Sequence, residues 1–389
     1  MAWLSKTKSL TITQTTDHKC TTPGTIGQAP AQTNISFTPF DLFGAAARCS
    51  HLHYVDPTAV TPESLIAKAL IEHYVDDTST DFSILSTADK LKDFVKSSFV
   101  GTVAAAVSYL TMIRNGYQWT DHFENVTGGN SGVTRAPDFV FAGQGKGHPL
   151  VESKGTRAQG HGAFNSRVEP GYLQQVEPHL GYLINNIVAT HGYCIGSWLT
   201  STSCAEILIH HTAVPVTIPA QPRTPLPLTT VQRHNYSTAF QLVRGASLGR
   251  AVRQGEIPKN LTFIRFKRYG HNWLTGLPCM WPPIILTPKD LWAKLWRDYY
   301  LDSVWRSAIF AIHETTAAKA LAAFSRHPEM DERPSGLEPL SGDIIDEAMT
   351  KYTERPAAIF PDGLAVFDMR DIVQTSVEVR WDSQGFRQD

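Results

Sequence analysis

Two acidic residues and a lysine lie close together along the chain, within two short apolar segments. Asp138 belongs to the segment PDFVF, and Glu152 and Lys154 belong to LVESKG. The glycine-rich stretch 143–148 separates the two segments, as in a β-hairpin. Charged side chains in such strands are costly to bury unless something binds them. The pattern therefore predicts a hairpin that carries a charged binding site.

The strand period predicts that these charged groups converge. Glu152 and Lys154 point to one face of their strand, roughly 6–7 Å apart, and Ser153 points to the other face. Pairing with the first strand brings Asp138 to about 5 Å. Two carboxylates with room for water suit Mg²⁺ or Mn²⁺ better than zinc. The alternative interpretation is a surface hairpin with a solvated Glu–Lys pair.

The set Pro137, Asp138, Glu152 and Lys154, with its apolar flanks, resembles the PD-(D/E)xK nuclease superfamily, which has the restriction-endonuclease-like fold. The resemblance covers about residues 90 to 212. It implies an α/β fold (an α+β mixed sheet) with an αβββαβ core. It also implies that Asp138, Glu152 and the carbonyl of Ser153 hold the metal ion, Mg²⁺ or alternatively Mn²⁺. In the same way, Lys154 is expected to orient or deprotonate the attacking water and to stabilise the transition state.

The sequence departs from the family pattern at two points. Many members have a glutamate on the helix before the sheet, but Asp93 is the only acid in the stretch 91–115. One branch has a Gln-x-x-x-Tyr pattern on the helix after the sheet, whereas Gln175 is followed at that spacing by His179. Gln175 therefore remains a candidate contact to nucleic acid and does not indicate membership in that branch.

The elements predicted around the hairpin follow the order of this core. Helical periodicity covers 91–115, and strands are expected near 117–125, 135–142, 149–155, 193–199 and 205–211. A helix, interrupted at Pro178, is expected from about 171 to 190. The glycine-rich stretch 157–167 is predicted to be a substrate-facing loop, and residues 1 to about 60 look irregular.

Four regions are predicted along the chain. An irregular and helical extension covers 1–85, the nuclease core 86–212, a Pro-rich linker 213–230, and a region for substrate recognition or assembly 231–389. In the last region we expect a helix near 231–254, a basic strand near 261–268, a long helix from about 288 to 326, and a strand pair near 357–368 and 375–381.

Composition indicates a globular protein of the cytoplasm. The chain has 389 residues, of which 42% are hydrophobic, and its five cysteines are scattered. An odd number of dispersed cysteines favours a reducing compartment over a disulfide framework. The segment 180–205 has no Asp, Glu, Lys or Arg, but its polar residues favour a buried helix and strands over a membrane span. No membrane contact is expected.

Charge is distributed unevenly along the chain, although the net charge is −1. Between residues 229 and 272 there are eight basic residues and one acid, whereas fourteen acids oppose six bases from His327 onward. A basic patch suits contacts with phosphates. Its candidate nucleic-acid-binding residues are Arg265, Lys267 and Arg268. A solvated helix face and an ordinary strand are the alternative.

The function predicted from these features is that of a Mg²⁺-dependent endonuclease that hydrolyses phosphodiester bonds in DNA, of the restriction or defence type. Symmetric cutting of a duplex favours a homodimer. Two alternatives remain open, namely a non-catalytic nucleic-acid-binding or assembly protein on the same fold, and a nuclease that acts on RNA. A second acid-gap-acid-x-base pattern, at Asp362 and Glu378, ends in Arg380, which cannot act as a base. We expect Asp362 to lie in the turn of a hairpin.

Overall fold

Two compact units, Met1–Asn235 and Tyr236–Asp389, make up the chain. The computed structural model describes residues 3, 6–18, 33–50, 57–144, 147–157, 160–185, 187–200, 205–212, 230–276, 308–325, 337–345, 357–368, 376–382 and 385–388. The predicted linker 213–230 lies almost entirely outside these residues. Residues 288–307, the first part of the long helix predicted over 288–326, also lie outside them.

A seven-stranded mixed sheet organises the first unit. Its strands are β1 (Lys8–His18), β2 (Asn34–Phe37), β3 (Trp119–His122), β4 (Phe139–Ala142), β5 (Leu150–Thr156), β8 (Gly192–Leu199) and β9 (Ala205–Thr212). Their order across the sheet is β2-β1-β9-β8-β5-β4-β3. The pairs β1–β9 and β5–β8 are parallel, and the other neighbours are antiparallel. The predicted mixed α/β class is therefore confirmed.

The central strands are the most apolar part of this sheet. All eight residues of β8 are buried, as expected for a strand covered on both faces. A parallel connection needs a crossover, and the helix α4 (His161–Gly171) lies in the segment that connects β5 to β8. One face of the sheet thus packs against α4 and the residues that follow it.

The opposite face packs against the helix α3 (Asp93–Arg114). A Cβ at Gly155 would lie 2.6 Å from the carbonyl oxygen of Val100, so the glycine allows the helix to approach β5 closely. In the described part of the chain, α3 alone is long and apolar enough to cross a membrane by length and composition. Just over half of its most apolar stretch is buried inside the protein, which is typical of a core helix.

Several elements differ from the sequence prediction. Residues 8–18 and 34–37 form strands in the main sheet, and the helix α1 (Pro39–Cys49) begins with a capping box from Thr38, so the N-terminal region is not irregular. The helix α2 (Pro57–Tyr74) confirms helical structure before residue 85.

The helix predicted over 171–190 is wrong, because helical structure begins at His161, inside the predicted loop, and ends at His179. Two short strands, β6 (Leu183–Ile184) and β7 (Ile187–Val188), follow.

The second unit has a seven-stranded sheet of its own. Its strands are β10 (Leu261–Arg268), β11 (His271–Thr275), β12 (Ala308–His313), β13 (Ala358–Ile359), β14 (Leu364–Asp368), β15 (Val377–Asp382) and β16 (Gly385–Arg387), in the order β13-β14-β12-β11-β10-β15-β16. Helix α5 (Thr230–Arg244) begins just before the unit, and α6 (Ala246–Gln254) follows it. The basic strand is confirmed as β10. The single long helix predicted over 288–326 is wrong where the structure describes it, because β12 precedes the helix α7 (Glu314–Phe324).

Candidate active site

The register of the β4–β5 hairpin places Asp138 opposite Glu152. Phe139 pairs with Val151 and Val140 pairs with Leu150, so the next pair outward joins the two acidic residues. The backbone N–H of Asp138 donates to Glu152 Oε2 at 3.1 Å, and the N–H of Ser153 donates to Asp138 Oδ2 at 2.9 Å. Each carboxylate thus binds the backbone of the other strand, which holds both in a defined position.

Two further side chains converge on Glu152. The ammonium of Lys154 and the side-chain amide of Gln175 both donate to Glu152 Oε1. Gln175 reaches this position because residues Tyr172–Val176 form a π-helical turn directly after α4. Such turns frequently occur at functional sites. The structure therefore brings together four of the residues singled out from the sequence, Asp138, Glu152, Lys154 and Gln175.

Strand alternation separates the side chain of Ser153 from this cluster. Its Oγ accepts a hydrogen bond from Ser108 of α3 at 3.1 Å, on the opposite face of the sheet. On the cluster side, a Cβ at Gly171 would lie 3.1 Å from Lys154 Cε and 3.5 Å from Glu152 Cγ. The residue that ends α4 is thus a glycine because the site side chains occupy the adjacent space.

Burial sets the charge state of the two carboxyls. Glu152 is only 1% exposed. Its burial and the nearby charge of Asp138 raise the pKa of Glu152 to about 7, although Lys154 and Gln175 act in the opposite direction. Burial also raises the pKa of Asp138, while the N–H of Ser153 and the charge of Lys154 oppose the shift. Both carboxyls therefore favour the protonated form more than an exposed carboxyl does.

Lys154 remains a cation in this environment. Burial acts to lower the pKa of Lys154, but the charge and hydrogen bond of Glu152, together with the charge of Asp138, act in the opposite direction, and the pKa is raised. Burial raises the pKa of the neighbouring Cys194 thiol well above its ordinary value, so that this thiol is neutral. The cluster at neutral pH thus holds one ammonium against two carboxyls that ionise with difficulty.

The donor set suits a hard divalent cation. Within the part of the chain that the structure describes, no group of three or more His, Cys, Asp or Glu side chains comes close enough to hold a metal ion. Among the described residues, Asp138 and Glu152 are therefore a pair of carboxylate donors with no third His, Cys, Asp or Glu side chain in a position to join them. Mg²⁺ is usually held in this way, by one or two carboxylates together with water and substrate phosphates. A dication would also favour the ionised form of Glu152, against the burial and the nearby Asp138 charge that raise its pKa.

The basic residues predicted to contact nucleic acid belong to the second unit, in β10. Arg265 forms an ion pair with Glu314 and donates to the carbonyl of Phe386 at 3.2 Å. The guanidinium of Arg268 lies 5.0 Å from the ring centroid of Tyr269. Lys267 is exposed. The three residues thus share a strand, but Arg265 also has a structural ion pair.

Two features near the carboxylates were missed by the sequence analysis. Gly171 gives Lys154 its space, and the loop before Asp138 carries Arg135, whose guanidinium donates to Gln174 Oε1. The signal for Arg135 was its position three residues before Asp138. Asp93 of α3 lies apart from the cluster, with its side chain 99% exposed near Lys96.

Comparison with known proteins gave no match to this chain among family models, curated proteins or solved structures.

Proposed function

We propose that this protein is a metal-dependent nuclease that hydrolyses phosphodiester bonds, with Asp138, Glu152 and Lys154 as its catalytic residues. The observation that carries the proposal is the pairing of Asp138 and Glu152 across one hairpin, with the ammonium of Lys154 on Glu152. Burial of two carboxyls and an amine in contact is costly for stability alone. Such clusters of perturbed titratable groups are typical of functional sites.

The order of elements in the first unit supports the finer fold assignment. Helix α3 is followed by β3, β4 and β5, then by α4 and, after the separate short strands β6 and β7, by β8. This succession is the αβββαβ order that the resemblance to the PD-(D/E)xK superfamily implies. The three strands after α3 form consecutive antiparallel pairs, and β8 joins β5 in parallel. We propose the restriction-endonuclease-like core on this basis.

Asp138 and Glu152 would hold the Mg²⁺ ion, with Mn²⁺ as an alternative and the carbonyl of Ser153 as the third ligand that the resemblance implies. The bound ion supplies an activated water and neutralises charge on the scissile phosphate. Both carboxylates are held by backbone N–H groups, so their positions are fixed before any ligand binds. Fixed ligands lower the cost of organising a site.

Lys154 supplies positive charge beside the carboxylates. Its raised pKa favours the ammonium form. As a protonated group, Lys154 orients water and stabilises negative charge that develops on the phosphate oxygens, and it is not available as a general base. Gln175 donates to the same oxygen of Glu152 as Lys154 does, and thereby orients that carboxylate.

We propose DNA as the substrate and an endonuclease of the restriction or defence type in the cytoplasm as the biological setting, with a homodimer for symmetric cuts. The second unit, with its basic strand β10, would contribute to substrate recognition or assembly. Two alternatives make different predictions. A non-catalytic nucleic-acid-binding or assembly protein binds without cleavage, and an RNA-directed nuclease prefers RNA over DNA at equal concentration.

The direct test compares the wild type with Glu152→Gln and Asp138→Asn on plasmid DNA, single-stranded DNA and RNA, in Mg²⁺, Mn²⁺ or EDTA. The control is Asp93→Asn, which removes an exposed acid of α3 on the other face of the sheet. We expect cleavage that EDTA abolishes, and a loss of at least about a hundredfold in both site variants. Binding without cleavage by the wild type under every metal condition would instead favour the non-catalytic alternative.

A further inference from the structure

A buried histidine fixes the loop that leads into Asp138. His179 is only 3% exposed. Its Nδ1 accepts the backbone N–H of Asn130 at 3.1 Å, and its Nε2 donates to the backbone carbonyl of Arg135 at 2.9 Å. Because an N–H only donates and a carbonyl only accepts, the ring is the neutral tautomer with its proton on Nε2. Both ring nitrogens are therefore engaged in holding the loop.

Further hydrogen bonds fix the same loop. The side-chain amide of Asn130 donates to the carbonyl of Pro178 at 3.0 Å, and its Oδ1 accepts the N–H of Gly132 at 3.0 Å. The N–H of Gly129 donates to the carbonyl of Leu183 at 2.9 Å. The loop 129–135 is thus tied to residues 178–183 at several points. A surface loop with this many ties is preorganised, which lowers the cost of ordering it when a ligand binds.

This fixed loop presents the side chain of Arg135 next to Gln174, in the π-helical turn that also carries Gln175. Arg135 is exposed and stands three residues before Asp138. Its guanidinium donates to Gln174 Oε1, and Gln174 directly precedes Gln175, which donates to Glu152. A guanidinium has five N–H donors, and Gln174 is its only hydrogen-bond partner among the described residues. Most of its donors therefore remain available to a ligand.

We propose that Arg135 binds a phosphate of the substrate strand adjacent to the scissile phosphate, and that His179 is the residue that positions it. The proposal rests on the proposed nuclease function and names a specific contact for its substrate. The cluster of Asp138, Glu152 and Lys154 would act on the scissile phosphate, so a neighbouring phosphate of the strand needs a separate cation at the rim of the site. Arginine suits this role because its planar fork binds two phosphate oxygens at once.

The test measures binding in a Glu152→Gln background, in which cleavage is silenced. Fluorescence anisotropy gives the Kd of a labelled DNA oligonucleotide, and of its RNA equivalent, between about 50 and 200 mM salt. The variants are Arg135→Ala and Arg135→Lys. The control is Lys92→Ala, which removes an exposed cation immediately before α3, the helix on the opposite face of the sheet.

We expect Arg135→Ala to weaken binding about tenfold at low salt and to reduce the salt slope by about one, because one phosphate contact is lost. Arg135→Lys should keep the salt slope but recover only part of the affinity. With Glu152 intact, Arg135→Ala should raise KM about tenfold and change kcat little, since a phosphate contact binds substrate and transition state alike. Identical Kd and salt slope in Arg135→Ala and Lys92→Ala overturn the proposal.

A double-mutant cycle tests the role of His179. If His179 acts by positioning Arg135, then His179→Ala weakens binding when Arg135 is present and adds little in the Arg135→Ala background. Additive losses in folded variants would reject that role. The nuclease function and the Arg135 contact can be refuted separately. If Arg135→Ala changes the Kd but the wild type does not cleave, only the nuclease function is refuted. If the wild type cleaves but Arg135→Ala leaves the Kd unchanged, only the Arg135 contact is refuted. Absence of binding to both DNA and RNA refutes the contact outright.

Discussion

Gly171, the last residue of α4, lies against Lys154 of β5. A Cβ at position 171 would be 3.1 Å from Lys154 Cε and 2.7 Å from the Sγ of Cys194. Real Cβ atoms essentially never approach another heavy atom to within 3.0 Å. The helix therefore approaches the strand this closely because residue 171 has no side chain, and the π-helical turn that carries Gln175 begins at the next residue.

Gly171→Ala should damage the site more than the fold. The added methyl group must displace Cys194 or Lys154, and such overpacking typically costs about 1–3 kcal/mol of unfolding free energy. The ammonium of Lys154 should move away from Glu152, so that cleavage falls by more than the loss of folded protein explains. Denaturant unfolding and initial cleavage rates at a temperature where the variant is folded give the two quantities.

Gly162→Ala is the matched control for this substitution. Position 162 lies in the same helix, and no heavy atom beyond its chain neighbours and the backbone of its own helix would lie within 4 Å of its Cβ. We expect unchanged cleavage and a stability gain of up to about 1 kcal/mol, from helix propensity. Adding Cys194→Ala to Gly171→Ala should recover part of the lost stability. Equal behaviour of Gly162→Ala and Gly171→Ala would contradict the steric argument.

The hairpin and its charged cluster could be predicted because they depend on local rules. The side-chain period of a strand places Glu152 and Lys154 on one face, and a two-strand register places Asp138 opposite Glu152. Helix α3 could be predicted for the same reason, since its apolar periodicity is continuous. These rules need only residues that are near one another in the sequence.

The elements that the sequence analysis missed depend on distant contacts. The segment that forms α4 and its N-cap contains Gly160, Gly162 and Pro170 and resembles a loop in sequence. It becomes a helix because Phe164 and Val168 pack against β8, where a Cβ at Gly196 would lie 2.3 Å from Val168 Cγ2. Tertiary packing outweighs local propensity in α4. Strand β1 is rich in threonine, which suits a strand, but its place in the sheet depends on parallel pairing with β9, almost 200 residues later in the sequence.

The metal-free protein should lose stability as pH rises from about 4.5 to 7. The pKa of Glu152 is raised from its ordinary value of 4.5 to about 7, so the folded protein keeps a proton that the unfolded chain has released. The contribution of the Glu152 carboxyl to stability is therefore present in full below its pKa in the unfolded chain. It is lost as pH rises through its pKa in the folded protein. The loss should be on the order of 3 kcal/mol. Urea unfolding at pH 4.5 and 8 in EDTA measures it.

Glu152→Gln tests the origin of this pH dependence. An uncharged amide of the same size should remove most of the loss, so that the metal-free variant is more stable than the wild type at pH 8. A wild type whose stability is constant between pH 4.5 and 8 would refute the assignment. Mg²⁺ should restore stability to the wild type at pH 8 but not to the variant, because the metal binds the ionised carboxylates.

Gln175→Ala should raise the pH at which Mg²⁺ begins to bind. The amide of Gln175 lowers the pKa of Glu152 by donating to its Oε1, so its removal raises that pKa further. Titration of Mg²⁺ by calorimetry over pH 5.5 to 8.5 should show a midpoint shifted to higher pH in the variant. Gln174→Ala is the control, since Gln174 contacts Arg135 and not Glu152. A midpoint common to all three proteins would exclude this influence of Gln175.

Substitutions of Arg265 and Lys267 in β10 should distinguish a role in stability from a role in nucleic-acid binding. Arg265 and Glu314 are only 21% and 17% exposed in their side chains and form an ion pair. Arg265→Ala leaves that carboxylate without its partner and should cost about 1–3 kcal/mol of stability. Lys267 is exposed, so Lys267→Ala should change stability by less than about 0.5 kcal/mol.

If β10 contacts phosphates, Lys267→Ala should weaken nucleic-acid binding even though it changes stability little. Lys267→Ala should weaken DNA binding at low salt and reduce the salt slope by about one. Lys319→Ala is the control, because Lys319 lies in the same unit, is 48% exposed and is 3.8 Å from Glu338. A salt slope that is the same in the wild type, Lys267→Ala and Lys319→Ala would show that the basic strand serves the second unit itself and does not contact nucleic acid.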